Sequence, residues 1–225
     1  MNDFSHAIQT IAIYAIPVLF AISLHEAAHG YVARYFGDPT ASQQGRLSLN
    51  PIHHIDLFGT ILLPLMLYLS PLGMPFGYAK PVPVDFNRLR NPKKQMGFVA
   101  AAGPAANFVM GLGWSVVYYV LLYALHVSEP FLLGMATAGV TVNAVMCVFN
   151  LLPVPPLDGG RILTALLPMD LARRFASVER YTPYIFIGLI LLMYTGMLSS
   201  LLGGMVRLVL NLYATLMTPL SMLLG

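Results

Sequence analysis

Six stretches of the 225-residue chain are almost wholly apolar: 8–36, 57–72, 96–125, 131–152, 184–202 and 205–224. A helix rises 1.5 Å per residue and the hydrocarbon core of a bilayer is about 30 Å thick, so about 20 apolar residues span it. Five of the stretches meet that length. The second, LFGTILLPLMLYLSPL, is shorter and carries Pro64 and Pro71, which predicts a segment that is re-entrant or oblique. After it, 73–92 is punctuated by Gly and Pro. Within that region YAKPVPV alternates as an extended edge segment does, since proline cannot donate to a sheet ladder. The pattern predicts an all-α polytopic membrane protein with about five spanning helices, one short re-entrant or oblique apolar segment and a small membrane-associated β-segment. No polar stretch is long enough for a separate soluble domain, so 1–225 reads as one domain ending in a helical pair over 183–224.

Composition agrees. The chain is 57% hydrophobic and 9% charged, with mean hydropathy +0.72, whereas a soluble domain carries about 25% charged residues. The net charge of +3 does not point to nucleic acid, because Lys and Arg collect in the cytoplasmic loops of membrane proteins. Arg34 and Arg46 follow the first stretch; Lys80, Arg88, Arg90, Lys93 and Lys94 follow the second; Arg161, Arg173, Arg174 and Arg180 lie between the fourth and fifth. All fall on one side if the second stretch turns back, with the N-terminus outside and the C-terminus inside. Arg207, within the last stretch, either snorkels to an interface or pairs internally. The lone Cys147 can form no internal disulfide and reads as a packing residue. The N-terminal MNDFSHAIQT lacks a basic n-region, so the first apolar stretch is expected to be retained rather than cleaved.

One stretch carries chemistry. In AISLHEAAHGYVARYFGD, His25 and His29 stand four residues apart, on nearly one helical face, and can place ring nitrogens on one cation. Glu26 is turned about 100° from His25, able to reach a metal-bound water without being a ligand. That division of labour is the zinc-hydrolase one. The bland alternative, polar residues at a helix interface, leaves an intramembrane Glu between two His unexplained. A catalytic zinc needs a third protein ligand, and Asp158 in NLLPVPPLDGGRI is the best placed: prolines stop the fourth helix, and Gly159 and Gly160 allow a tight turn. Asp158 can equally cap the segment that follows. His53, His54 and Asp56 are rivals outside the long helices, suited also to ordering a loop. An even number of crossings must separate His25 from Asp158 for them to meet, which again requires the second stretch to turn back.

HEAAH, AAGPAANF (101–108) and NLLPVPPLDGG together resemble the site-2 protease family of intramembrane zinc metalloproteases, and GRLSLNPIHHID with FGYAKPVPV resemble its compact bacterial branch without PDZ or CBS domains. The resemblance implies one Zn²⁺ per chain on His25, His29 and Asp158, Glu26 as general base, and a catalytic core over about 8–167. It implies that Asn150 contacts substrate or the oxyanion, and that Gly103 and Asn107 lie in a helix beside the site. The 73–85 region stands where the family has a β-segment that presents substrate. Tyr78, Lys80, Val82, Val84, Gly103, Asn107, Pro153 and Pro156 are the substrate-binding candidates that follow. The implied activity is hydrolysis of a peptide bond in or near a transmembrane segment of another protein, for regulated intramembrane proteolysis or clearance of signal-peptide remnants. The implied setting is a bacterial inner membrane, with the site toward the cytoplasm and a homodimer or regulatory membrane partner compatible with the apolar faces. Two other classes compete. A metal transporter would spread ligands along a path through several helices, and a non-proteolytic scaffold would tolerate loss of Glu26.

Overall fold

The computed structural model describes residues 3–70, 77 and 80–224, and is helical throughout, with no strand among the described residues. In chain order the α-helices are α1 (Asp3–Tyr35), α2 (Thr40–Gln43), α3 (Leu63–Leu69), α4 (Pro92–Tyr119), α5 (Pro130–Asn150), α6 (Asp158–Leu166), α7 (Met169–Ala176), α8 (Thr182–Tyr194) and α9 (Met197–Leu224). Among the described residues five helical runs are long and apolar enough to cross a bilayer: Ile8–Tyr35, Pro92–Ala124, Pro130–Asn150, Met169–Tyr194 and Met197–Leu224. The fourth is a composite of α7, a 3₁₀ turn at Ser177–Tyr181, and α8.

Local chemistry sets the starts of the central helices. Asn91 accepts a hydrogen bond from the Lys94 N–H with Pro92 at the first helical position, and Glu129 accepts one from the Leu132 N–H ahead of Pro130. Each cap satisfies a donor that a helix start would otherwise leave open, and proline there has no N–H to lose. The middle of the bundle is α4, which packs against α1, α5, α6 and α9. Missing side chains make that closeness affordable: a Cβ on Gly139 would run into the Trp114 ring, and one on Gly111 would run into the Tyr213 hydroxyl.

Two sequence expectations change, and a third gains its local form. The segment expected to be re-entrant or oblique is a π-helical turn, Leu57–Leu62, running into α3. At 1.5 Å per residue the pair reaches about 20 Å, short of the ~30 Å core. The expected β-segment is not formed among the described residues: Tyr78, Ala79 and 73–76 lie outside them, and Lys80–Asp85 is chain without a strand partner. Pro81 and Pro83 have no N–H, and three of the other donors go elsewhere, from Lys80 to the His54 carbonyl, Val82 to Glu26 and Asp85 to Asp38. The last helical break falls at Thr195–Gly196, where Gly196 has φ +73°, rather than at Gly203–Gly204, through which α9 runs unbroken. A glycine pair weakens a helix without ending it; a left-handed residue ends it.

Candidate metal centre

The site is built where α1, α4 and α6 meet. His25 and His29 project from the same face of α1, their ring centroids 4.7 Å apart and nearly perpendicular. Asp158 is the first residue of α6. It is delivered by a turn in which a Cβ on Gly159 would strike the Leu151 carbonyl and one on Gly160 would lie 2.5 Å from the Pro155 nitrogen. Those two glycines let the proline turn fold back on the start of α6, bringing the carboxylate to the histidines. His25 Nε2 stands 3.2 Å from Asp158 Oδ2, and His29 Nε2 stands 3.4 Å from Oδ1. One ligand atom from each residue fits within 4.8 Å of the others.

Hydrogen bonds behind the rings decide where their protons are. Asn107 donates from Nδ2 to the Ala21 carbonyl (3.1 Å) and to Asn143 Oδ1 (3.0 Å), which leaves its Oδ1 facing His25 Nδ1 at 2.6 Å. Asn143 is itself oriented by donating to the Gly139 carbonyl at 2.8 Å. Both asparagines are 0% exposed. A buried acceptor at that distance puts the proton of neutral His25 on Nδ1. His29 Nδ1 meets the Val99 carbonyl at 2.7 Å, with the same result. Both Nε2 atoms then present lone pairs, 3.1 Å apart, toward a carboxylate whose buried Oδ2 has no hydrogen-bond partner. Three electron-pair donors facing one point suit a cation. Two imidazoles and one carboxylate form the donor set of a catalytic zinc site, with a fourth position left for water or substrate.

Glu26 lies beside this point, and its Oε2 accepts the Val82 N–H at 2.8 Å. Val82 is buried against Gly30 of α1. Its segment is tied further by Arg46, which donates to the Lys80 carbonyl at 3.0 Å, and by the buried Asp38, which accepts from the Asp85 N–H at 2.7 Å.

The other sequence candidates are placed as follows. Gly103 and Asn107, expected at substrate, lie against the histidines: a Cβ on Gly103 would stand 2.5 Å from both His25 Cε1 and His29 Nε2. Asn150 ends α5 and donates to the Met146 carbonyl at 3.0 Å. Lys80 and Pro153 are exposed, Val84 and Pro156 half-buried, and Tyr78 lies outside the described residues. His53 is exposed, His54 is buried and bonded to the Ser48 carbonyl, and Asp56 caps Gly59; none joins the metal group. Sequence reasoning missed Asn143 and Asp38. An asparagine inside an apolar span was the signal for the first; for the second, an aspartate before a Pro-Thr turn carried no distinguishing mark.

Comparison with known proteins follows the same line. The sequence profile of Peptidase family M50 matches residues 128–195, which include Asn143 and Asp158. "Putative zinc metalloprotease YwhC" of Bacillus subtilis is 35% identical over 213 residues, covering 91% of this chain and 92% of that protein. The chain belongs to Peptidase family M50. It is thus a metalloprotease of the site-2 protease type, in a helical chain with five candidate membrane spans. "Putative zinc metalloprotease Rip2" of Mycolicibacterium smegmatis is 30% identical over 167 residues, covering 72% of this chain and 60% of the relative. No solved structure gives a significant match. Family membership and the donor set both imply Zn²⁺.

Proposed function

We propose that this M50 protein hydrolyses a peptide bond in or beside a transmembrane segment of another membrane protein, with zinc held by His25, His29 and Asp158 and Glu26 as general base. The observation that carries the reading is the convergence of two imidazole lone pairs and an unpartnered carboxylate oxygen between apolar helices. When bound, Zn²⁺ would polarise the scissile carbonyl and acidify a water molecule. Glu26 takes the attacking water's proton and passes it to the departing amine. Its position, one residue from His25, supports reach to the reacting atoms without ligation. The Asn107–Asn143 relay fixes the ring of His25, and the Val99 carbonyl fixes that of His29.

A helical substrate must unwind to expose a carbonyl, and an extended segment beside the site would compensate the freed backbone groups. Lys80–Asp85 is the candidate, with the Val82 N–H already directed at Glu26. Asn150 commits one of its two Nδ2 protons to the Met146 carbonyl, which leaves the other for an oxyanion. The basic loops favour the site on the cytoplasmic side of a bacterial inner membrane, with the Leu57–Leu69 run turning back on that side and 1–225 acting as one domain. Regulated intramembrane proteolysis or removal of signal-peptide remnants fits such a site.

The test is cleavage of single-span substrates by the chain in proteoliposomes, with the cut located by mass spectrometry. A cut within or next to the apolar span, lost in Asp158→Asn, is expected. Cleavage confined to distant soluble loops would refute the intramembrane reading.

A further inference from the structure

The last helix carries a feature that neither the metal centre nor packing uses. At about 100° per residue, Leu198, Leu202, Val206, Val209 and Tyr213 fall on one side of α9. Leu198, Leu202, Val206 and Val209 belong to the cluster shared with α5 and α8, and Tyr213 fits the notch at Gly111 of α4. Ser200, Gly204, Arg207, Asn211, Thr215 and Thr218 fall within about 80° of one another on the opposite side, and all six are exposed. A membrane helix with one face in its own bundle and the other in lipid should be apolar outward. This one is polar along five turns.

Depth makes the arrangement costly in lipid. Arg207 is ten residues from Met197, about 15 Å along an α9 some 42 Å long. With α9 centred in a ~30 Å core or starting flush with it, the Arg207 Cα lies within about 6 Å of the midplane. An extended Arg side chain reaches about 6–7 Å, leaving the guanidinium inside hydrocarbon, where an unpaired charge is strongly disfavoured. Its Nε donates back to the Gly203 carbonyl, and no carboxylate pairs with it among the described residues. Within the five candidate spans the acidic residues are Glu26, beside the metal centre, and Asp170 and Glu179, in the first half of the fourth run, where Asp170 is its second residue and Glu179 is paired with Arg161; Asp158, at the start of α6, belongs to the metal centre. The adjoining glycines are equally unexplained by the chain's own packing: a Cβ on Gly203 or Gly204 would meet nothing within 4 Å. A mid-helix glycine costs about 1 kcal/mol against alanine and suits a surface that another backbone approaches closely.

We propose that the Ser200–Thr218 face of α9 docks a transmembrane helix of a different membrane protein, one carrying an Asp or Glu at the depth of Arg207. A second copy of this chain would bring Arg207 against Arg207 and offers no free carboxylate at that depth, so charge complementarity selects a foreign helix. Asn211 and the hydroxyls supply hydrogen bonds on either side of the ion pair, and Gly203 and Gly204 allow the close approach. The proposal rests only on membrane insertion and stands apart from the protease reading.

The experiment uses the full chain, fluorophore-labelled at its N-terminus, in phosphatidylcholine liposomes with a labelled poly-leucine single-span helix bearing one central Asp. Energy transfer should half-saturate at about tenfold lower peptide-to-lipid ratio than with the all-leucine helix. Arg207→Leu should erase that preference, and Asn211→Leu should reduce it about threefold. Arg207→Glu should transfer the preference to a helix with a central Arg. Equal association of the Asp and Leu helices, or a preference that survives Arg207→Leu, would overturn the proposal. So would energy transfer between two labelled copies that disappears in Arg207→Leu, which would assign the face to self-association.

Discussion

Replacing Gly103 by alanine adds one methyl group to α4 and should disable the metal centre. The new Cβ would stand 2.5 Å from His25 Cε1 and from His29 Nε2, about 0.9 Å inside ordinary contact for both. Neither ring can swing away freely, since Nδ1 of each is bonded, to Asn107 at 2.6 Å and to the Val99 carbonyl at 2.7 Å. The overlap must therefore be relieved by moving helix against helix, at about 1–3 kcal/mol for overpacking. Displacing the ligands should weaken metal affinity about 10–100-fold and cut turnover at least about 100-fold. The same change at Gly113, on the same helix with nothing within 4 Å, should leave both unchanged or raise stability by up to about 1 kcal/mol. Chelator competition and substrate turnover measured on the two variants side by side form the assay. If Gly103→Ala holds metal and cleaves as the parent does, α4 does not press on the histidines and the site geometry is wrong.

Further outcomes follow from the same contacts. Asn143→Leu removes the acceptor that orients Asn107, so zinc affinity should fall about tenfold, read by chelator competition; an unchanged affinity would mean Asn107 holds His25 alone. Val82→Pro deletes the N–H on Glu26 and should lower kcat about tenfold through misorientation of the base, with metal content intact; undiminished kcat would show that the contact plays no part in turnover. Stripping the metal leaves two lone pairs 3.1 Å apart against Asp158 and removes about 4 kcal/mol of stabilisation at a ligand excess of 1,000 Kd. The apparent Tm should drop by several degrees and return on adding Zn²⁺, and a Tm indifferent to metal would argue against a bound ion.

How much of this was legible in the sequence depended on distance along the chain. His25 and His29 share a helix, so their spacing alone declares the pair, and the Pro-rich turn with Gly159 and Gly160 marked Asp158 as a carboxylate held in a constrained place. The spans were legible because twenty apolar residues have few other readings. What stayed hidden depends on contacts between distant segments. Asn107 and Asn143 are 36 positions apart and meet only once α4 and α5 pack. Gly103 looked like part of a motif, and only the packing shows that its missing side chain makes room for two rings. Over the described residues the expected β-segment does not form: alternation and prolines suggest an edge, but prolines also remove the donors that a strand would need, and the N–H groups of Val82, Asp85 and Lys80 go to Glu26, Asp38 and His54. The apolar stretches 184–202 and 205–224 part at Gly203–Gly204, yet α9 runs through both glycines and leaves open space beside them, which raises the question of its partner.

The most direct test of the central claim is zinc per chain, measured with cleavage of single-span substrates, in the parent, Asp158→Ala and Glu26→Gln after metal-replete purification. The account predicts about one zinc and cleavage in the parent, little zinc and no cleavage in Asp158→Ala, and about one zinc without cleavage in Glu26→Gln. Cleavage by Glu26→Gln at the parent's rate, or no zinc in any of the three, would contradict it.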